Sequence, residues 1–474
     1  MVNEVVMTKT AHFIFRVDTN KPFHKSSGII NDYWKNALSK FGYKLISFHQ
    51  RRVTESILPG QRLIPLEIYS LIHKISLENI PDITFYDDHG LAIKTPLKRD
   101  NHKNILFFHG LRGNPGSVLA NPLIDFYCCN SNYLKNVLSS FMLFPNFEKK
   151  SIIDAHGINS ITSITLPVPM IDFPNGYENE GADLPSIIHR TIINGYIIGH
   201  SIQRDKPVLS ALVFILKYLN ELCENNGTKK VKLVIRDNVL TPLKKFIYQQ
   251  KNINREKILD YFIPVPLMNN SATTELMESS SFGLCYNCYP ESFGIYPLES
   301  VMLNSPIYTN GIGNNRYLLP SGHGIDVFET KGMEFGNFKE YEKVAEKIFH
   351  DLHSNQKANN CEKGLEYIRK TYNKAQFEES VFSMLDLLYS EKIPYNEKIN
   401  FDDLTFYLSP LVRNIDTKTG HVISDYKSII LSREELDLLI LLVGKKIKDM
   451  DNSLTNKLGN VYSLFYKGII ALNK

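Results

Sequence analysis

The chain has 474 residues, of which 43% are hydrophobic and 22% charged, and a formal net charge of +4. These values suit a soluble globular protein of about two to four domains and exclude a disordered, fibrous or strongly nucleic-acid-binding polypeptide. Six cysteines in so long a chain make no disulfide framework, no apolar run could span a bilayer, and the N-terminus lacks a signal peptide's apolar core, so a reducing cytoplasm is the expected location.

Residues 11–17, AHFIFRV, read as a first buried strand. The loop KPFHKSSG at 21–28 leads into a predicted helix over 29–41, whose apolar residues recur at helical spacing and which Gly42 suits as a terminator. With a second strand at 44–48 this makes a βαβ unit with Gly28 at its helix start, where Ser26 and Ser27 also suit a plain N-cap. Residues 82–110 carry DITFYDDHG and NILFFHG, two strands that each end in a His-Gly pair. Ligands of open parallel sheets bind at the carboxyl ends of strands. His109 is the stronger candidate there and His89 the weaker. The loop 111–117, LRGNPGS, either lines a site or simply turns. Cys128 and Cys129 read as core residues of the next strand, Ser131 as the cap of the next helix, and 162–168 as a further strand. The stretch 172–185, DFPNGYENEGADLP, has linker composition and should divide two α/β domains of similar size.

In the second half, strands are expected at 192–199, 231–235 and 262–265, with helices at 208–222 and 273–281. Cys285 and Cys288 form a C-x-x-C, but a zinc site takes about four ligands and no second pair exists. Both therefore read as buried cysteines, and no metal or other cofactor is expected. The stretch that organises the chain is Pro290–Glu299, PESFGIYPLE. It follows the apolar strand 282–286 and enters a helix, with Pro297 suited to the first turn. Strand, glycine-bearing turn and helix start together point backbone N–H groups and the positive end of the helix dipole at one spot, a ready site for phosphate. Gly294 permits close approach of the backbone. Glu291 and Glu299 bracket the turn and can accept hydrogen bonds from hydroxyl groups. A nucleotide sugar carries hydroxyls on both sides of a diphosphate and fits this arrangement.

Beyond it lie a strand at 304–308 and amphipathic helices at 341–351 and 361–389. In the tail, strands at 406–411 and 421–425 flank the turn Asp416–Gly420, Ser432 and Glu435 form a capping box, and two helices are expected to end the chain.

The segment PESFGIYPLESVMLNSPIYTNGIG resembles the E-x7-E region of retaining glycosyltransferases of the GT-B fold, family 4 in particular, with Glu291, Ser292, Phe293, Gly294, Glu299, Met302 and Pro306 in register. The resemblance implies an α/β, GT-B architecture: two Rossmann-like domains facing a cleft, plus a small C-terminal α+β appendage. It implies an acceptor domain at 1–180, a nucleotide-sugar domain at 181–378, a crossover helix at 379–395 and an accessory domain at 396–474. By the same resemblance Glu291, with the amides of Phe293, Gly294 and Ile295, holds the donor sugar, and Glu299 holds the ribose. Leu298 joins the donor contacts, Gly28 faces the donor phosphates, and His109 stands near the reacting carbon. The family pattern G-R-x-x-x-x-K-G reads differently here: His200 follows Gly199, and Arg204 and Lys206 are the basic residues of that loop. They are expected to clamp a leaving diphosphate, as guanidinium and ammonium groups do.

The implied activity is metal-independent, retaining transfer from a UDP- or GDP-sugar to an acceptor of unassigned class: lipid, sugar, small metabolite or peptide. No nucleic-acid partner is expected. Two other readings stand beside it. One is a catalytically weak GT-B scaffold that binds a glycan, nucleotide or peptide. The other is a glycoside hydrolase or phosphorylase using Glu291 and Glu299 as an acid/base pair. The tail resembles the small winged-helix domains that bind leader peptides in peptide-modifying enzymes, which implies peptide binding; a helical cap on the body or a dimer arm is the alternative.

Overall fold

A computed structural model describes residues 9–15, 25–49, 81–87, 102–110, 124–147, 153–154, 161–172, 182–203, 207–251, 253–328, 338–354, 356–390, 398–399, 401–425, 428–450 and 458–473. The chain forms two compact units, one of Met1–Pro167 with Lys374–Lys474 and one of Val168–Asn373.

The first unit contains β1 (Lys9–Phe15), β2 (Tyr43–His49), β3 (Ile83–Tyr86), β4 (Lys103–Phe108), β5 (Phe126–Cys129), β6 (Ile153–Asp154) and β7 (Ile161–Ser163). Six of these form a sheet in the order β2-β1-β3-β4-β5-β7. Its pairings are all parallel. Segments such as ITFY and FYCC are buried throughout. This is the signature of parallel strands covered by helices on both faces. Strand order turns back at β1, so the carboxyl ends of β1 and β3 mark a switch point, where such sheets bind ligands.

The helix Lys25–Lys40 carries Trp34 into this core, 4.5 Å from Phe85 and 5.4 Å from both Phe107 and Phe377. Phe377 belongs to the helix Lys374–Tyr389, which thereby packs on the first sheet although it lies far along the chain. The Lys25–Lys40 helix starts earlier than expected: Ser26, Ser27 and Gly28 form its first turn rather than a loop. Residues there need no intrahelical acceptor for their amides, so the turn costs them little. Cys128 and Cys129 are fully buried, and the Ser131 Oγ accepts from the Leu134 amide as an N-cap.

The second unit contains β8 (Ile197–Ser201), β9 (Val231–Arg236), β10 (Phe262–Val265), β11 (Phe282–Cys285), β12 (Ile307–Thr309) and β13 (Ile325–Val327), in the order β10-β9-β8-β11-β12-β13. All pairings are parallel. This is the doubly wound order with its switch point between β8 and β11. The helices Leu209–Asn225 and Glu340–Leu352 cover one face, and Ile188, Ile198, Val234, Ile263 and Leu276 form a core on the other. The strand expected at 192–199 is corrected: Ser186–Ile193 is a helix, and the strand starts only at Ile197. The apolar run straddles the turn at Asn194–Gly195, and Ile188 and Thr191, three apart, supply the helix's buried side.

The tail has β14 (Lys398–Ile399), paired with β6, then β15 (Thr405–Leu408), β16 (Val412–Asp416), β17 (His421–Ser424), β18 (Ser428–Ile430) and β19 (Ile470–Asn473). The hairpin around Asp416–Gly420 joins β16 to β17, whereas β15 pairs with β19. The expected pairing of 406–411 is thus replaced, and the last described element is a strand rather than a helix. Phe406 explains the change: it is buried in the tail's own core with Val461, Leu464 and Leu472, which β15 reaches only beside β19. The Ser432–Glu435 capping box forms as expected. Tyr133 on the helix Asn132–Phe147 donates to Asp425 Oδ2 at 2.7 Å, and Arg413 meets the same carboxylate, so a buried polar cluster fastens the tail to that helix within the first unit. No helix among the described residues is long and apolar enough to cross a membrane.

Trp34→Ala is expected to cost about 3–5 kcal/mol through the cavity it leaves. A lower urea midpoint checks this, and an unchanged midpoint would contradict the packing.

Candidate functional site

The motif Pro290–Glu299 leaves β11 at the switch edge of the second sheet. The backbone at Gly294 is left-handed, with φ of 103°, and it caps the helix Ile295–Met302. A Cβ there would lie 2.5 Å from Asn315 Oδ1 and 2.9 Å from Leu318 Cδ1, so no other residue fits without displacement.

A lattice of buried asparagines fixes this turn. Asn314 donates its amide to Glu291 O and its side chain to Phe293 O, both at 2.8 Å. Asn310 Nδ2 donates to Asn287 O at 2.9 Å, and Asn287 Nδ2 donates to Glu291 Oε1 at 3.1 Å. Glu291 also bridges Gly313, where a Cβ would meet Glu291 O at 2.4 Å. The loop after β12, TNGIGNN, is therefore the frame of the turn. Its role was not visible as a motif; the recurrence of Asn and Gly was the available signal. The amides of Phe293, Gly294 and Ile295 donate to no acceptor among the described residues. They are the unpaired donors of a helix start.

Glu299 lies four residues beyond Ile295 and so on the same face of the helix, one turn along. The residue keeps some exposed surface, but its carboxyl sits among protein atoms. It has no ion-pair or hydrogen-bond partner among the described residues, and burial alone raises it to about 8. A carboxyl so placed is matched to hydroxyl donors supplied by a ligand.

His200, at the position that would carry the family's arginine, is fully buried. Its Nδ1 is 2.7 Å from Tyr296 Oη, and its Nε2 is 3.1 Å from Ser300 Oγ and 3.2 Å from Ser305 Oγ. It pins β8 to the helix that starts at Ile295 and offers no cation at the surface.

On the first sheet, His109 directly follows β4 and Asp87 directly follows β3. His109 Nε2 is 2.6 Å from Asp87 Oδ1, and Asn31 Nδ2 donates to Asp87 Oδ2 at 3.0 Å. Asn130 Nδ2 donates to His109 O at 3.2 Å. Asp87 is 3% exposed, so it acts through the imidazole, fixing its tautomer and orientation. Asp87, Asn31 and Asn130 were not among the expected site residues; the sheet brings Asp87 and Asn130 to His109, and the helix Lys25–Lys40 brings Asn31 to Asp87.

The other expected residues divide as follows. Arg204, Lys206 and His89 lie outside the described residues. Gly28 sits in the first turn of its helix, not in a loop before it. Leu298 is fully buried in the helix Ile295–Met302. Cys285 is buried as expected but Cys288 is exposed, because it falls in the turn after β11 rather than on the strand. Among the described residues no group of three His, Cys, Asp or Glu side chains could hold a metal ion.

No protein family matches the sequence, and no curated protein matches it. Solved structures do match. A glycosyltransferase from Rickettsia africae superposes with a TM-score of 0.55 at 13% identity, covering 81% of this chain and 100% of that one. The Anabaena protein HepE, solved with UDP and glucose, gives 0.53 at 10% identity, covering 80% and 100%. Sucrose-phosphate synthase from Thermosynechococcus elongatus gives 0.51 at 9%, covering 80% and 99%. Identities this low carry the architecture and nothing finer. The chain has the GT-B fold, built on two Rossmann-like sheets.

The raised Glu299 value has a signed consequence. Its protonated form is favoured in the folded state, so its contribution is complete below about 4.5 and is lost as pH rises towards about 8. The neutral variant Glu299→Gln escapes this loss. Its Tm is expected to climb relative to the parent's across that interval and then run parallel above it; a pH-independent difference would contradict the unpaired, buried carboxyl.

Proposed function

We propose that the chain is a retaining glycosyltransferase that moves a sugar from a nucleotide-sugar donor to an acceptor without a metal ion. The observation that carries this reading is the Glu299 carboxyl, unpaired among the described residues, one turn along a helix whose first amides, at Gly294 and Ile295, have no acceptor among those residues. Carboxylate, helix start and αL glycine together suit a ribose joined to a diphosphate. The fold supports the same class: the Anabaena protein of that architecture was crystallised with UDP and glucose.

In this reading the diphosphate meets the amides of Gly294 and Ile295, and the ribose hydroxyls donate to Glu299. Glu291, held by Asn287, accepts from the hydroxyls of the transferred sugar. Arg204 and Lys206 neutralise the departing diphosphate. His109, held by Asp87 on the first sheet, is the proposed catalytic histidine. The bond from the anomeric carbon to the β-phosphate oxygen breaks, and the acceptor oxygen bonds the same carbon on the same face. The acceptor's proton passes to the departing diphosphate. The donor is a UDP- or GDP-sugar.

One observation favours a second reading, a scaffold that binds the nucleotide and turns over weakly. His200 is buried and bonded at the place of the family's arginine, so one stabilising charge for the leaving group is missing there.

A thermal-shift screen with nucleoside diphosphates and nucleotide sugars tests the proposal. A ligand at a hundred times its Kd stabilises by about 2.7 kcal/mol. UDP or GDP compounds are expected to raise Tm in the parent and not in Lys206→Ala or Glu299→Ala. Variants that shift as the parent does would place the site elsewhere. Sugar release from a binding donor supports the enzyme, and binding with no release from any common donor supports the scaffold.

A further inference from the structure

Arg236 closes β9 at the carboxyl edge of the second sheet, beside the end of β8. Its Nε donates to Ile202 O at 2.6 Å. That bond fixes the plane of the guanidinium, the fork that pairs with phosphate oxygens. Two residues before Ile202, His200 ties β8 to the helix Ile295–Met302: its Nδ1 lies 2.7 Å from the Tyr296 hydroxyl, which also donates to His200 O at 3.4 Å. Tyr296 directly follows Ile295. A short path through Ile202, His200 and Tyr296 therefore links Arg236 to the helix start, where the amides of Gly294 and Ile295 have no acceptor among the described residues.

Two further features agree. Burial pushes the Tyr296 hydroxyl well above the ordinary phenol value and Cys285 adds to this, while the Ile202 amide and the Arg236 charge oppose it. Gln203, next to Ile202, is 6% exposed, and its Nε2 donor is buried without a partner among the described residues.

We propose that Arg236 is a phosphate-binding cation of this site, pairing with a phosphoryl oxygen of a nucleoside diphosphate whose other oxygens meet the amides of Gly294 and Ile295. This rests on the nucleotide-sugar reading above and adds to it a residue on β9. The competing role for Arg236 is structural, holding the chain as it leaves β8.

Calorimetric titration of the full chain with UDP and with uridine, and with GDP and guanosine, separates these. Arg236→Ala is expected to weaken the diphosphate about 10–100-fold, in line with a lost charged hydrogen bond, while the nucleoside binds as to the parent. Arg236→Lys keeps the charge without the fork and is expected between the two; it also covers the case in which the alanine variant fails to fold. An equal loss for nucleoside and diphosphate, or no loss for either, would overturn the proposal while leaving the nucleotide reading in place. A parent chain that binds neither diphosphate would overturn both.

Discussion

The left-handed backbone at Gly294 is the constraint on which the second unit's site depends. It lets the chain leave β11, turn and enter a helix with its first amides lacking acceptors. The turn is held by buried amide side chains rather than by apolar packing. Asn287, Asn310, Asn314 and Asn315 are all at most 6% exposed. Buried polar networks specify one geometry when satisfied and are costly where they are not. Asn287 Oδ1 and Asn315 Oδ1 remain without donors, so the turn retains some of that cost. Polar groups left unmatched in this way are characteristic of sites that complete themselves with a ligand.

Charge is distributed around this turn in an informative way. Glu299 is kept from a partner and held among protein atoms, a state unfavourable for an isolated carboxylate. His200, in contrast, is fully committed to Tyr296, Ser300 and Ser305 and acts as a structural pin. Arg236 ends the neighbouring strand, with its Nε on Ile202 O. On the first sheet, the bond from His109 to Asp87 similarly links the ends of adjacent strands.

Much of this was legible in the sequence. Apolar runs such as NILFF and FGLC, bounded by turn residues, mark strands buried on both faces, and PESFGIYPLE carries its strand, turn and helix in its residue types. Residues 192–199 were misread as one strand because a helix and a strand of similar apolar content meet there across the turn at Asn194–Gly195. Asp87 was passed over because its meaning comes from register: β3 and β4 pair Tyr86 with Leu106, which carries Asp87 to His109 only in three dimensions. The asparagine loop after β12 carries no motif of its own, and its function as a frame depends on contacts with residues about twenty positions earlier. The tail's pairing was hidden for the same reason, since β15 finds its partner at the far end of the chain.

Amide hydrogen exchange at single-residue resolution, with and without UDP-glucose, addresses the account most directly. The account predicts that the amides of Gly294 and Ile295 exchange freely in the unliganded protein and become protected when the sugar nucleotide is added. Protection confined to other segments, with these two amides unchanged, would contradict it.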